Sequence, residues 1–362
     1  MSMKIHSKIK DYELRFCEDM SFVGEIASVS PRIVIADGNV YDAYKDVFDS
    51  NFGQEEIVLF NAVETNKNIE AVLNLCDKVM QFAAKKNMTI VSFGGGITQD
   101  VTGFLASILY RGVNWIFVPT TLLAQSDSCM GSKTSLNHKH FKNLLGDFYP
   151  PTKVYINTQF TQTLSEMDFF SGIGEIVKLH LMGGENLVNC VGDEVKMIAN
   201  NRADVPLLNK LVKNSLSVKY SYIKDDEFDT GKRNLLNFGH CFGHALETSS
   251  DYKIPHGIAV VIGMIFANII SVKRGLLSIE KEQILLDSVL IDCIKVSMEE
   301  SYFNYEKILS AMKMDKKRVG NGLPLIVLQD NLELKKLIDM TPEELKWGMG
   351  ELNKILFTTN RL

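Results

Sequence analysis

Residues 89–121 read TIVSFGGGITQDVTGFLASILYRGVNWIFVPTT, and this stretch decides the fold. Thr89–Phe93 is a β-branched and aromatic run without helical period, which predicts a buried strand. Gly94, Gly95 and Gly96 follow at once, and apolar residues then recur at helical spacing from about Asp100 to Tyr110. A second apolar run, Trp115–Val118, closes on Pro119, Thr120 and Thr121. Strand, glycine turn, helix and strand in this order form the repeating unit of a largely parallel sheet covered by helices on both faces. Working outward, Arg32–Ala36 (RIVIA) and Glu56–Phe60 (EIVLF) read as further buried strands. Between them and the glycines, residues 68–86 place Ile69, Val72, Leu73, Cys76, Val79 and Met80 on one helical face. After Thr163 the pattern changes, and helical periodicity dominates from Met167 through Arg274, with Leu323–Leu328 (LPLIVL) a late strand-like exception. The expectation is an α/β domain over residues 1–165 and an all-α domain over residues 166–362.

A chain of 362 residues exceeds one typical core, in keeping with two domains. The net charge of −5 and a pI near 5.9 argue against a nucleic-acid binder, which is usually basic. The opening MSMKIHSKIKDYELRF has no apolar core of a secretory signal, and no run of about eighteen apolar residues stands out, so no membrane span is expected. Cys17, Cys76, Cys129, Cys190, Cys241 and Cys293 show no C-x-x-C spacing and read as reduced thiols of a cytoplasmic protein.

Chemistry concentrates in a few places. Gly94–Gly96, between a strand and a helix, let backbone approach a pyrophosphate at a helix N-terminus, although a tight turn with no ligand uses the same residues. Asp37-Gly38, at the end of the first clear strand, is where a ribose-binding acid would lie, or simply a turn. Residues 127–143 (DSCMGSKTSLNHKHFKN) read as a loop whose lysines and amides suit a phosphate or carboxylate, or merely solvent. In GIGEIVKLHLM, Glu175 and Lys178 share one helical face among apolar neighbours, which is costly for a lone carboxylate and calls for a metal or an ion pair. Residues 233–257 (RNLLNFGHCFGHALETSSDYKIPHG) gather His240, His244 and His256 in a chain holding seven histidines. His240 and His244 stand four apart on one helical face, so spacing alone favours that pair as metal ligands.

These segments together resemble the 3-dehydroquinate synthase family and, more widely, the sugar-phosphate cyclases. The resemblance runs from about Gly94 to Leu328 through GGGITQDVTGF, YRGVNWIFVPTTLLAQSDSCMGSKTSLN, KNLLGDFYPP, GEIVK, SVKYSYIKDDE, RNLLNFGHCFGHALE, HGIAVVIGM and DKKRVGNGLPLIVL, and thins before Gly94. It implies a Rossmann-like NAD-binding domain, a helical metal- and substrate-binding domain with the substrate between them, and bound Zn2+ or Co2+. By this resemblance Glu175, His240 and His256 are the metal ligands, and His244 becomes a substrate contact. Asp37, Glu64, Lys67, Gly94, Gly95, Gly96, Asp100, Thr120, Thr121, Lys133, Lys142, Phe160 and Thr163 fall on NAD-contacting positions. Asp127, Lys133, Lys142, Asn143, Lys178, Lys219, Arg233, Asn237, His244 and Lys316 fall on substrate-lining positions. Arg111 matches an arginine that reaches the neighbouring subunit's phosphate, which implies a homodimer.

The implied reaction turns 3-deoxy-arabino-heptulosonate 7-phosphate into 3-dehydroquinate and phosphate, with no net redox change. It proceeds by oxidation of a ring hydroxyl, phosphate elimination, reduction and intramolecular aldol closure. The family pattern departs at Ser132 (commonly glycine), Phe141 (usually glycine), Asn157 (customarily an acid) and Val63-Glu64-Thr65 in place of Asp-Gly-Glu. Lys219, Arg233, Asn237 and His244 argue for a carboxylate-bearing substrate. Other readings are a cyclase of the amino-dehydroquinate, 2-epi-5-epi-valiolone or 2-deoxy-scyllo-inosose type, a metal-dependent polyol dehydrogenase, and a silent scaffold protein.

Overall fold

The computed structural model describes residues 2–82, 86–139, 141–314 and 322–358. The chain divides into two compact units, Met1–Thr163 with Ile223–Phe228, and Leu164–Tyr222 with Asp229–Leu362.

The strands of the first unit are β1 (Ser2–Ile5), β2 (Tyr12–Phe16), β3 (Arg32–Asp37), β4 (Ile57–Phe60), β5 (Thr89–Gly94), β6 (Asn114–Pro119), β7 (Lys133–His138), β8 (Phe141–Phe148) and β9 (Lys153–Ile156). Its helices are α1 (Phe22–Ala27), α2 (Gly38–Ala43), α3 (Lys45–Asn51), α4 (Ile69–Met80) and α5 (Gly96–Ile108). Seven strands form a sheet in the order β1-β2-β9-β6-β5-β3-β4, parallel except at the β1–β2 pair. Every residue of β5 is buried, as expected of a central strand covered on both faces. One face packs on a core that includes Phe22, Val34, Phe48, Val91, Phe93 and Phe160. From β3 the chain leaves toward β4, and from β5 toward β6, on opposite sides. Their adjoining carboxyl ends, Asp37-Gly38 and Gly94–Gly96, therefore flank a topological switch point, where open α/β sheets open a crevice.

Helix α5 starts at Gly96 rather than near Asp100, because Gly95 adopts the extended N-cap conformation and the turn needs no further residues. The 127–143 segment is not a loop as read. It enters the antiparallel β7–β8 hairpin, whose exposed face on β8 blurs the period-2 signal. Helix α4 ends at Met80, short of the Lys86 that periodicity suggests.

The second unit holds α6 (Glu166–Leu181), α7 (Glu185–Asn200), α8 (Val205–Ile223), α9 (His240–Ser249), α10 (His256–Lys273), α11 (Ile279–Leu285), α12 (Tyr305–Lys313) and α13 (Pro342–Asn353). Among the described residues its other regular elements are β10 (Leu323–Leu328) and β11 (Leu334–Met340), paired antiparallel, and short helical turns. Helix α10 packs against α6, α9, α13 and β10. One helix departs from the reading that no run of about eighteen apolar residues stands out. Helix α10 is 18 residues long with mean hydropathy 1.7, and 83% of it is buried inside the protein. A helix apolar on all sides is what a central core position demands.

Candidate active site

Helices α6, α9 and α10 bring their functional side chains together because glycines let their backbones nearly touch. A Cβ at Gly257 would lie 2.6 Å from the carbonyl carbon of Ser171, and one at Gly174 would lie 2.6 Å from that of Gly257. Gly174 precedes Glu175 and Gly257 follows His256, so the closest crossing of α6 and α10 sets those two side chains face to face. Gly239, at φ +77, turns the chain into α9 immediately before His240.

The result is a compact cluster. His240 Nε2 lies 3.7 Å and His256 Nε2 3.4 Å from Glu175 Oε1, and Lys178 Nζ lies 2.5 Å from Oε2. Glu175 is completely buried, yet neither carboxylate oxygen is satisfied by a well-aligned hydrogen bond. One ring nitrogen from each of His240, His244 and His256 falls within 4.8 Å of the other two. His240 Nδ1 is 3.0 Å from the carbonyl oxygen of Phe238 and so donates to it, leaving Nε2 as a lone pair aimed at Glu175. His256 Nδ1 stands 3.4 Å from Glu247 Oε2.

Burial alone would raise the Glu175 carboxyl, but the Lys178 ammonium, then His256 and His240, hold it well below the usual carboxylate range. Burial, then Lys178, keeps the His240 imidazole well below its ordinary value and neutral. Burial opposes protonation of His256 too, yet Glu247 and Glu175 outweigh it and push the ring up to about 10. A cation taken up at His256 Nε2 would displace a proton there.

This donor set fits a divalent metal. Two ligand atoms each about 2.1 Å from a tetrahedral ion stand roughly 3.4 Å apart, close to the observed oxygen–nitrogen separations. Glu175, His240 and His256 could share one ion and leave a coordination position open. His244 lies beside them, its ring centroid 5.2 Å from that of His240 and 5.5 Å from that of His256. The i,i+4 pair therefore does share one face, but the acid from α6 faces His240 and His256. The i,i+3 ion pair of Glu175 with Lys178 forms as well, so the two readings of that acid coexist. Lys219 and Arg233 of this unit are buried cations, and Asn237 Nδ2 donates to Asn234 O at 2.8 Å.

In the first unit, a polar network joins residues far apart in sequence. Lys67 Nζ meets Asp100 Oδ2 at 2.5 Å and Asn143 Oδ1 at 2.7 Å. Asp100 accepts from the Ser135 backbone at 2.9 Å and from its hydroxyl at 3.1 Å. Burial pushes the Asp100 carboxyl up, with Lys67 and Ser135 pulling against it. Asn137 Nδ2 donates to Glu64 Oε1 at 2.9 Å, and Lys142 lies 3.8 Å from the same atom. The hairpin thus fastens Glu64, Lys67, Asp100, Lys142 and Asn143 into one group.

Beside it, Thr120 N donates to Gly94 O at 3.0 Å, and Thr121 Oγ1 accepts from Ala124 N at 3.2 Å. Helix α5 has no side-chain cap, so its first amides face outward over Gly95 and Gly96, and a Cβ at Gly96 would meet nothing closer than Ser128 Oγ at 3.7 Å. Uncapped amides of this kind could receive an anion. Asp37 caps α2 by accepting from Asn39 N at 3.0 Å. Phe160 is buried against the edge of Tyr44, and Thr163 Oγ1 donates to Phe160 O at 3.1 Å. Asp127 is half-buried, while Lys133 and Arg111 are exposed. Lys316 and Lys317 lie outside the described residues.

Two departures from the family pattern have structural partners. Ser132, at φ +65, donates its hydroxyl to Glu227 Oε1 at 3.1 Å, a bond that glycine could not make. Asn157 donates Nδ2 to Asp19 O at 2.9 Å, which an acid could not do, while its Oδ1 accepts from Gln159 N at 2.8 Å. Phe141 is an exposed residue opening β8. Reading the sequence missed Ser135 and Glu247. Glu247 follows Ala245 and Leu246 but precedes Thr248, Ser249 and Ser250, so the apolar surroundings that drew attention to Glu175 are only half present.

Comparison with known proteins gives the chain its family. Residues 57–171 match the 3-dehydroquinate synthase N-terminal domain and residues 172–318 its C-terminal domain. The chain is 32% identical over 350 residues to the 3-dehydroquinate synthase of Clostridium tetani, covering 96% of this chain and 89% of that one. It is 35% identical over 326 residues to that of Dictyoglomus thermophilum, covering 88% and 89%. Among solved structures, 2-epi-5-epi-valiolone synthase from Streptomyces hygroscopicus, with NAD+ and Zn2+ bound, superposes with a TM-score of 0.86 at 20% identity, covering 97% and 99% of the two chains. A 2-deoxy-scyllo-inosose synthase complexed with carbaglucose-6-phosphate, NAD+ and Co2+ gives 0.83 at 25% identity, again covering 97% and 99%. With both family domains matched in order and such relatives along nearly its whole length, the chain belongs to the 3-dehydroquinate synthase family.

Proposed function

We propose that this protein is a 3-dehydroquinate synthase. It would convert 3-deoxy-arabino-heptulosonate 7-phosphate to 3-dehydroquinate and phosphate, acting as a cytoplasmic homodimer. The observation that carries the reading is the convergence of Glu175, His240 and His256, at separations suited to one ion, with His244 and Lys178 beside them.

The residues divide the work. Glu175 and the Nε2 atoms of His240 and His256 hold Zn2+ or Co2+. The cradle at Gly94–Gly96, with Asp37, Glu64, Lys67, Asp100, Thr120, Thr121, Phe160 and Thr163, holds NAD. When bound, the metal supplies Lewis acidity at a ring hydroxyl and the nicotinamide a reversible hydride acceptor, so oxidation and reduction cancel over one turnover. His244 contacts the substrate at a ring nitrogen one helical turn from His240. Lys219, Arg233 and Asn237 bind the carboxylate, and Lys133, Lys142, Asn143 and Lys316 the phosphate, with Arg111 reaching that of the partner copy. Asp127 and Lys178 complete the polar lining. Much of the catalysis is then positioning: one conformer is held with its anionic groups neutralised, and its own phosphate oxygens would serve as the base.

Retention of Lys219, Arg233, Asn237 and His244 favours a substrate with a carboxylate over sedoheptulose 7-phosphate or glucose 6-phosphate. The deciding experiment measures phosphate release from all three sugar phosphates, with and without chelator, while following nicotinamide absorbance. The expected result is chelator-sensitive release from the heptulosonate alone, with flat absorbance. Turnover only of a substrate lacking a carboxylate would assign a different cyclase, and steady NADH accumulation would assign a dehydrogenase.

A further inference from the structure

The segment joining α9 to α10 folds back on itself. Ser250 N donates to Leu246 O, Tyr252 N to Glu247 O and Lys253 N to Ser250 O, at 2.9, 2.8 and 3.1 Å. Asp251 and Tyr252 sit at φ +51 and +61, the left-handed values that reverse the chain there. The reversal returns His256, the first residue of α10, to the last turn of α9, where Glu247 points at it. Glu247 is only 4% exposed, so its charge needs partners inside the protein. Its Oε2 stands 3.4 Å from His256 Nδ1, while His256 Nε2 stands 3.4 Å from Glu175 Oε1 on the opposite side of the ring.

We infer that Glu247 is the positioning residue for the metal site: it accepts the Nδ1 proton of His256, and so fixes the tautomer and the ring plane that aim Nε2 at the ion. His240 is held in the corresponding way by a backbone carbonyl, that of Phe238. Histidines that bind metals commonly give their other N–H to such a partner, and losing it weakens metal binding by about 10–100-fold. The inference rests on the proposed metal site and adds a residue outside its ligand set.

The test uses the full chain with Co2+ and Zn2+, and two substitutions, Glu247→Gln and Glu247→Leu. Metal affinity is read by competition with a chromophoric chelator, coordination by the visible absorption of bound Co2+, and folding by melting of the metal-free protein. A glutamine can still accept the Nδ1 proton through its amide oxygen, whereas leucine cannot. The expected order of affinity is wild type, then Gln about 10-fold weaker, then Leu about 100-fold weaker, with an altered Co2+ spectrum. Metal-free Glu247→Gln should melt close to wild type, which separates positioning from a general structural role. Wild-type affinity and spectrum in both variants, while His256→Ala loses the metal, would overturn the role of Glu247 and leave the metal site standing. Failure of the wild type itself to bind either ion would overturn both.

Discussion

Replacing Gly257 by alanine tests how the cluster is assembled. The new Cβ would collide first with the Ser171 carbonyl oxygen and lie 2.6 Å from its carbon, where ordinary contact begins at 3.4 Å, so the backbones of α6 and α10 must part by more than about 0.8 Å. If that displacement passes to the side chains, the 3.4 Å between Glu175 Oε1 and His256 Nε2 grows past about 4.2 Å, beyond what two ligands of one tetrahedral ion span. Overpacking of this kind costs about 1–3 kcal/mol, and a misplacement near 1 Å costs about 100-fold in function. Metal content by atomic absorption, affinity by chelator competition and thermal melting should all fall together. Gly350→Ala is the control. Gly350 is exposed in α13, with nothing within 4 Å of the added Cβ, so alanine there should stabilise by about 0.5–1 kcal/mol and leave metal binding alone. A Gly257→Ala protein that binds metal and melts like wild type would refute the argument that glycine contacts set the ligand spacing.

Ser132 and Arg274 supply the remaining tests. Ser132→Ala keeps the left-handed backbone and loses the bond to Glu227, whereas Ser132→Gly loses the bond but relieves the strain. Chemical denaturation should show alanine costing about 1–2 kcal/mol and glycine roughly 1 kcal/mol less, and equal losses would remove strain from the account. Arg274 caps the end of α10, pairing bidentately with Glu344 at 2.8 and 2.7 Å. That hydrogen bonding is the main reason the Glu344 carboxyl sits below its ordinary 4.5, a depressed value whose stabilisation is present above 4.5 and lost as pH falls through the folded-state value. Arg274→Met should therefore cost about 1 kcal/mol near neutrality, and its gap from wild type should close in melts below pH 4.5. A gap independent of pH would assign the loss to packing.

Much of this was legible in the chain. The runs at Arg32–Ala36, Thr89–Phe93 and Trp115–Val118 declare themselves because strands buried on both faces are continuously apolar. Glu175 declares itself because a carboxylate among apolar residues of a helix needs an explanation. The β7–β8 hairpin was harder, since its outer strand is exposed along most of its length and keeps no alternation. Ser135 escaped notice because a serine in a polar stretch gives no signal until Asp100, thirty-five positions earlier, is seen to face it. Helix α10 went unremarked because its hydrophobicity has no period: it is core on every side.

By itself the sequence determined the central strands and most helices, where the Gly94–Gly96 turn falls, and which imidazoles and acids are available, because periodicity and turn chemistry are local properties. It could not determine distances between groups brought together by helix crossings. Spacing favoured His240 with His244 as ligands; only the close approach of α6 to α10 at Gly174 and Gly257 puts Glu175 against His240 and His256, and only the reversal at Asp251 and Tyr252 sets Glu247 behind His256. Those contacts depend on how nearly two backbones can touch, which packing decides.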